Sequence, residues 1–224
     1  MAFKARRIVR GLAWGCALLL GAGLIASCAP PQYRYISDSN DHAYFKVPHY
    51  WQQVSPADLC KVLEQQASSR TCPAGWDIAY EAGQDPSALD FPALDLSRPF
   101  VYSEVAPYTP QNNTPLTAET LQDFFLPFTA AERAAAEESG DFPLTDFKQL
   151  RDATVTLHGG FYGFRETFDY SIPGGPANTF DEDILTNAAG TTIYFLVVHC
   201  TASCYSQDQT AINEVMSSFT VRSQ

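Results

Sequence analysis

Six cysteines, four histidines and two acidic runs hold most of the chemistry this chain can offer. The histidines are His42, His49, His158 and His199, and none has a nucleophile or acid beside it at a diagnostic spacing. The chain has no Gly-x-Ser-x-Gly elbow, no P-loop and no His-Glu-x-x-His, the short patterns in which spacing itself implies a reaction. Asp38-Ser39-Asn40-Asp41 and Asp181-Glu182-Asp183 are the acidic runs. Calcium needs six to eight oxygens from a shaped loop, and neither run has that pattern, so both read as solvated acid. His199 beside Cys200-Thr-Ala-Ser-Cys204 invites a metal reading, but this spacing fits no zinc motif. The residues therefore point to no catalytic group, metal or cofactor. A carboxylate pair for glycoside hydrolysis is the one arrangement that sequence spacing does not test, because its geometry is spatial.

Cys28 is the cysteine with the most telling surroundings. Before it stand Lys4, Arg6, Arg7 and Arg10, then an apolar stretch from Gly11 to Ile25, then Ala26-Ser27. A basic start, an apolar middle and small residues at the cut describe an export signal. The apolar run is short for a membrane span of about 20 residues. A cysteine directly after the small pair resembles the lipobox of bacterial lipoproteins. That resemblance implies cleavage before Cys28 and acylation of its thiol and amine by chains of the diacylglycerol and palmitate kind. The protein would then sit on the outer face of the cell membrane, held by lipid. With residues 1–27 removed as signal, Cys16 goes too, and Cys60, Cys72, Cys200 and Cys204 remain. Four cysteines allow three pairings. An oxidising compartment favours disulfides, and Cys60–Cys72 with Cys200–Cys204 would each close a short local loop.

Composition limits the partners. The 14 basic residues lose four with the signal, leaving ten against 25 acids. Nucleic acid is excluded, because a phosphate backbone needs many Lys and Arg to displace its counterions. The same balance argues against the domain lying flat on an anionic bilayer; net charge of this sign also serves simple solubility. The remaining length suits one domain with a real core, and 13% aromatic residues argue against disorder.

The elements that would position these groups follow from local pattern. Residues 28–41 read as a lipidated tether and residues 42–224 as the folded domain. Ala43 to Pro48 reads as a strand ended by proline. Ser55-Pro56-Ala57-Asp58 starts a helix, with serine as cap, proline in the first turn and an acid to match the dipole. Trp76–Tyr80 and Phe100–Val105 read as strands, with an irregular segment from Gln84 to Pro99 between them. Thr117 and Thr129 each open a short helix, the second with a capping box at Glu132. Strands follow at Phe147–His158, Phe161–Ile172, Phe180–Leu185 and Thr192–Cys200, the last pair joined by the hairpin signal Asn187-Ala-Ala-Gly190. Ile193 to Val198 is apolar throughout, as in a strand covered on both faces. Gln209 to Phe219 reads as an amphipathic helix. These elements predict an α+β fold, an α/β/α sandwich with a central antiparallel sheet flanked by helices.

Two places carry a further resemblance. One is Tyr44-Phe45-Lys46-Val47-Pro48 with Trp51 following. The other is Thr192 to Val198, then Cys200, Cys204 and Tyr205, then Ile212 to Ser218-Phe219-Thr220-Val221. Together they resemble the PsbP-like superfamily, and the lipobox with the cysteine pair is similar to its LpqN-type actinobacterial lipoproteins. Residues 84–145 match nothing in that pattern and read as an insertion. The resemblance implies a non-enzymatic binding or assembly factor with no catalytic residues to carry over. The expected role is an interaction or assembly module whose partner is an envelope protein; the alternative is a carrier of a lipid or other apolar molecule. A hydrolase of envelope polymers would need convergent polar groups that the sequence does not display. Tyr50, Trp51, Phe91 and Phe100 are candidates for a contact surface, because aromatics are enriched at hot spots; core packing is the favoured alternative, most strongly for Trp51.

Overall fold

The computed structural model describes residues 31–38, 40, 42–66, 75–108, 116–140 and 142–222. The signal, Cys28 and Cys72 lie outside them, as does the Cys60–Cys72 pairing.

The fold is α+β and its strands pair antiparallel. Seven strands form the main sheet: β3 (Gln52–Gln53), β4 (Trp76–Glu81), β5 (Phe100–Pro107), β6 (Thr145–Thr156), β7 (Tyr162–Ser171), β8 (Ala177–Thr186) and β9 (Thr192–Thr201). Their spatial order is β3-β4-β5-β9-β8-β7-β6. A second sheet joins β1 (Tyr33–Asp38), β2 (Ala43–Pro48) and β10 (Thr220–Val221), with β2 in the middle. Gly174 and Gly190 adopt φ of 78° and 67° in the β7–β8 and β8–β9 turns, a backbone region open to glycine at little cost. Those turns fix the register of three long strands.

Strand β9 explains the layering. Phe195, Leu196, Val197 and Val198 are all fully buried, so successive side chains enter cores on opposite faces. One core gathers Phe195 and Val197 with Leu59, Val62 and Leu63 of α1 (Pro56–Gln66), Phe91 and Leu96 of the following loop, and Leu121 of α2 (Ala118–Gln122). The other gathers Leu196 and Val198 with Ile212, Val215 and Met216 of α4 (Ala202–Met216), and with Phe45, Val47 and Ile36 of the small sheet. Helices thus cover both faces, and the small sheet shares the second face with α4. Helix α3 (Ala130–Ser139) buries no residue; Arg133 ties it down by lying 3.8 Å over the Phe147 ring.

Three sequence expectations change. Residues 33–38, expected in the tether, form β1, paired with β2 over six positions from Tyr33↔Pro48 to Asp38↔Ala43. The reason is alternation: Ile36 and Asp38 turn inward while Tyr35 stays out. The last helix begins at Ala202, directly after β9, where the Thr201 hydroxyl accepts the Cys204 N–H as an N-cap. The segment 84–145 supplies β5 between β4 and β9, along with Phe91, Leu121 and Phe128 to the core. Its loop is pinned to β4 by Glu81, which accepts the Ser87 N–H at 3.1 Å and ion-pairs with Arg98.

Candidate functional site

The β7–β8 hairpin concentrates ionisable side chains in the interior. Its register sets Arg165 opposite Asp183, Glu166 opposite Glu182 and Thr167 opposite Asp181. Asp181-Glu182-Asp183 is therefore not solvated acid. All three residues are buried at 1%, 0% and 7% exposure, because β8 lies inside the sheet and is covered on both faces.

On the α4 face Asp181 is fully provided for. Arg165 donates through Nε at 3.0 Å and Nη2 at 2.9 Å, a bidentate pair. The Thr167 hydroxyl donates at 3.2 Å and the Tyr205 hydroxyl of α4 at 2.8 Å. Burial, and then the Asp181 charge, push the Tyr205 phenol up, which keeps it a donor. Asp183 sits 3.6 Å from Arg165 Nη1. Burial pushes its carboxyl up to about 7, and Arg165 offsets only part of this.

On the α2 face two glutamates confront each other. Gln122 of α2 donates to Glu166 Oε1 at 2.7 Å. Apart from its glutamate neighbour, no described donor reaches either oxygen of Glu182. Like charges directly opposite on neighbouring strands repel, and neither group reaches water. Burial pushes Glu166 up to about 7 and Glu182 well above the ordinary carboxylate range. Glu182 is the one that holds its proton, which it donates to Glu166 once Glu166 ionises.

His199 shares that face. Its ring stacks on Phe180 at 5.5 Å and lies 5.5 Å from Phe100 and 6.5 Å from Phe91. Neither ring nitrogen has a described partner. Burial alone pulls it down to about 4, so the ring is neutral near pH 7. An acid pair and a histidine thus share one sheet face; the histidine is surrounded by Phe91, Phe100 and Phe180, and both glutamates are fully buried. Among the described residues no group of His, Cys, Asp and Glu is placed to hold a metal ion.

The candidate contact surface separates. Trp51 and Phe100 are fully buried and Phe91 is 6% exposed. Trp51 belongs to the core under α4, Phe91 and Phe100 to the opposite core. These three are packing residues, leaving Tyr50 exposed at 52%. Cys200 and Cys204 form a disulfide that staples the end of β9 to the first turn of α4. Sequence reasoning missed the interior pairs, for which only an approximate signal existed. Counting back from the Pro173–Pro176 turn sets Arg165 against Ile184, one residue off; the ladder closes at Ser171 and Ala177, which leaves five residues in the turn and brings Arg165 to Asp183. On the surface, a cleft of about 530 Å³ is lined by Thr156, Leu157, His158, Thr220, Val221 and Arg222.

The chain matches no protein-family model and no curated protein sequence. Solved structures do resemble it. PsbP of the cyanobacterium Synechocystis aligns at 12% identity over 90% of this chain and 99% of its own, with a TM-score of 0.47. LpqN, described as involved in cell envelope biogenesis of Mycobacterium tuberculosis, aligns at 15% identity over 86% and 91%, also at 0.47. A variant of Mog1 aligns at 9% identity over 84% and 95%, at 0.45. At such identities the likeness concerns fold alone.

Proposed function

We propose that this chain is a lipid-anchored, non-enzymatic protein of the cell envelope that works as an interaction or assembly module. We place it with the LpqN-type lipoproteins on its lipobox and terminal motifs. Cys28 would carry the acyl chains and hold the domain at the outer face of the cell membrane. The observation that carries the non-enzymatic reading is the sealing of the ionisable groups. Glu166 and Asp183 are the carboxyls pushed up to about 7, the range suited to proton transfer, and both are buried, at 0% and 7% exposure, as are Glu182 and His199. A catalytic group must come within hydrogen-bond reach of its substrate, and here burial closes the carboxyls off while the rings of Phe91, Phe100 and Phe180 surround His199. The layer between the main sheet and α1–α2, where a carrier would hold apolar cargo, is filled by Phe91, Phe125, Phe128 and their neighbours.

Two measurements test this. The mass of the membrane-extracted chain is expected to include acyl groups on Cys28. Crosslinking in intact cells is expected to recover the same envelope protein reproducibly; recovery of only a diffuse set of neighbours would refute the module reading.

A further inference from the structure

We infer that the outer face of the small sheet rests against the bilayer interface, with tyrosines as its contact residues. The inference builds on acylation of Cys28 and goes on to orient the domain.

Strand β1 begins at Tyr33, five residues after Cys28, so full extension allows at most about 18 Å between them. The His49 N–H donates to the Gln32 carbonyl at 3.0 Å, so the chain leaves the domain beside the His49-Tyr50 turn. Two exposed aromatics stand at this place: Tyr35 at 81% and Tyr50 at 52%. The inward positions of β1 and β2 face the core through Ile36, Phe45 and Val47. Alternation therefore sets Tyr33, Tyr35 and Ser37 of β1 outward with Tyr44 and Lys46 of β2, and the register joins Tyr35 to Lys46 and Ser37 to Tyr44. Lys46 Nζ lies 4.3 Å over the Tyr33 ring, and Arg222 lies 5.1 Å over Tyr44. No acid occupies these outward strand positions in an otherwise acidic domain. Glu214 of α4 ion-pairs with Lys46 at 2.6 Å. Tyrosine rings with their hydroxyls suit the headgroup layer, where one end of the side chain is apolar and the other wet. Arg222 adds charge of the sign that phosphate groups attract, while Lys46 is already paired with Glu214. The domain's overall negative charge then faces away from the membrane.

The test uses the full acylated chain in vesicles of phosphatidylglycerol and phosphatidylcholine, with and without bromine on the phosphatidylcholine acyl chains. Tyr35→Trp and Tyr50→Trp report on the proposed face. Leu89→Trp reports on the opposite layer, since Leu89 is 68% exposed in the turn beside Ala88 and Phe91 of the other core. Roughly twofold quenching of the added emission is expected at positions 35 and 50, as for an interfacial aromatic, and none at 89. No quenching in any variant, with acylation confirmed by mass, overturns the orientation while leaving the anchor intact. Equal quenching at all three positions overturns it too. An unacylated Cys28 overturns the anchor, and this inference falls with it.

Discussion

Replacing Glu166 with glutamine isolates the cost of the buried acid pair. In the folded chain Glu166 keeps its proton up to about pH 7, whereas its ordinary value is 4.5. Unfolded chains therefore release this proton near pH 4.5 and folded chains near pH 7. The folded state binds more protons in between, so the group's contribution is fully present below pH 4.5 and is lost as pH rises to 7. A tenfold change in proton affinity corresponds to about 1.4 kcal/mol, which makes the loss about 3 kcal/mol for Glu166. Glutamine keeps the oxygen that accepts from Gln122 and does not titrate. Urea unfolding of wild type and Glu166→Gln from pH 4 to pH 8.5 supplies the comparison. The stability of the variant relative to wild type should climb by about 3 kcal/mol between pH 4.5 and pH 7. The difference must be used, because His199 slopes the wild-type curve the other way. Its proton affinity falls to about 4 on folding, so its contribution is lost as pH drops below 6.5. Two parallel curves, separated by a constant offset, would refute the proposed pair.

Other outcomes follow from the same geometry. His199→Phe should flatten the acid limb and leave stability at pH 7 equal or higher, because no hydrogen bond is lost and two unpaired nitrogens are removed; the same urea series reads it. Arg165→Met strands Asp181 without its counter-charge and should cost about 3–5 kcal/mol by chemical denaturation. Tyr205→Phe removes one donor to that carboxylate and should cost about 2 kcal/mol. The Cys200→Ala, Cys204→Ala double variant opens a very short loop, and the chain-entropy account gives a loss of about 2 kcal/mol in a denaturant titration. Trp51→Ala should cost about 3–5 kcal/mol. Tyr50→Ala should stay within about 0.5 kcal/mol in the same assay, separating core from surface.

The strands were legible wherever pattern and turn chemistry agreed. Ala43–Pro48 matches β2 to the residue, and the Asn187–Gly190 signal falls at the β8–β9 turn. Thr129 and Gly140 bound α3 as cap residues should. Legibility failed where tertiary burial overrode local chemistry. Three consecutive acids look solvated until β8 is known to be an inner strand. A Pro-Pro-Gln-Tyr run looks like tether until β2 supplies a partner for Tyr33–Asp38. Trp51, Phe91 and Phe100 turn out packed, the alternative favoured for them, while Tyr50 stays exposed. Of the interior site, the residue types were visible, and only the hairpin register brought them together.

The position of β10 bears on when the domain can form at all. Strand β2 lies near the start of the described chain, and its two neighbours arrive at very different times. Strand β1 is already present, but Thr220 and Val221 pair with Tyr44 and Ala43. Strand β5 likewise waits for β9, which contributes Phe195 opposite Glu104. Pairings this distant in sequence must close long loops before they bring any reward, which slows folding. A nascent chain lacking its last strands has neither sheet complete. For the export proposed above, this delay would let threading through a narrow channel run ahead of folding. Synthesis order would thus keep an exported chain threadable until the β9–α4–β10 unit, which completes both sheets, has emerged.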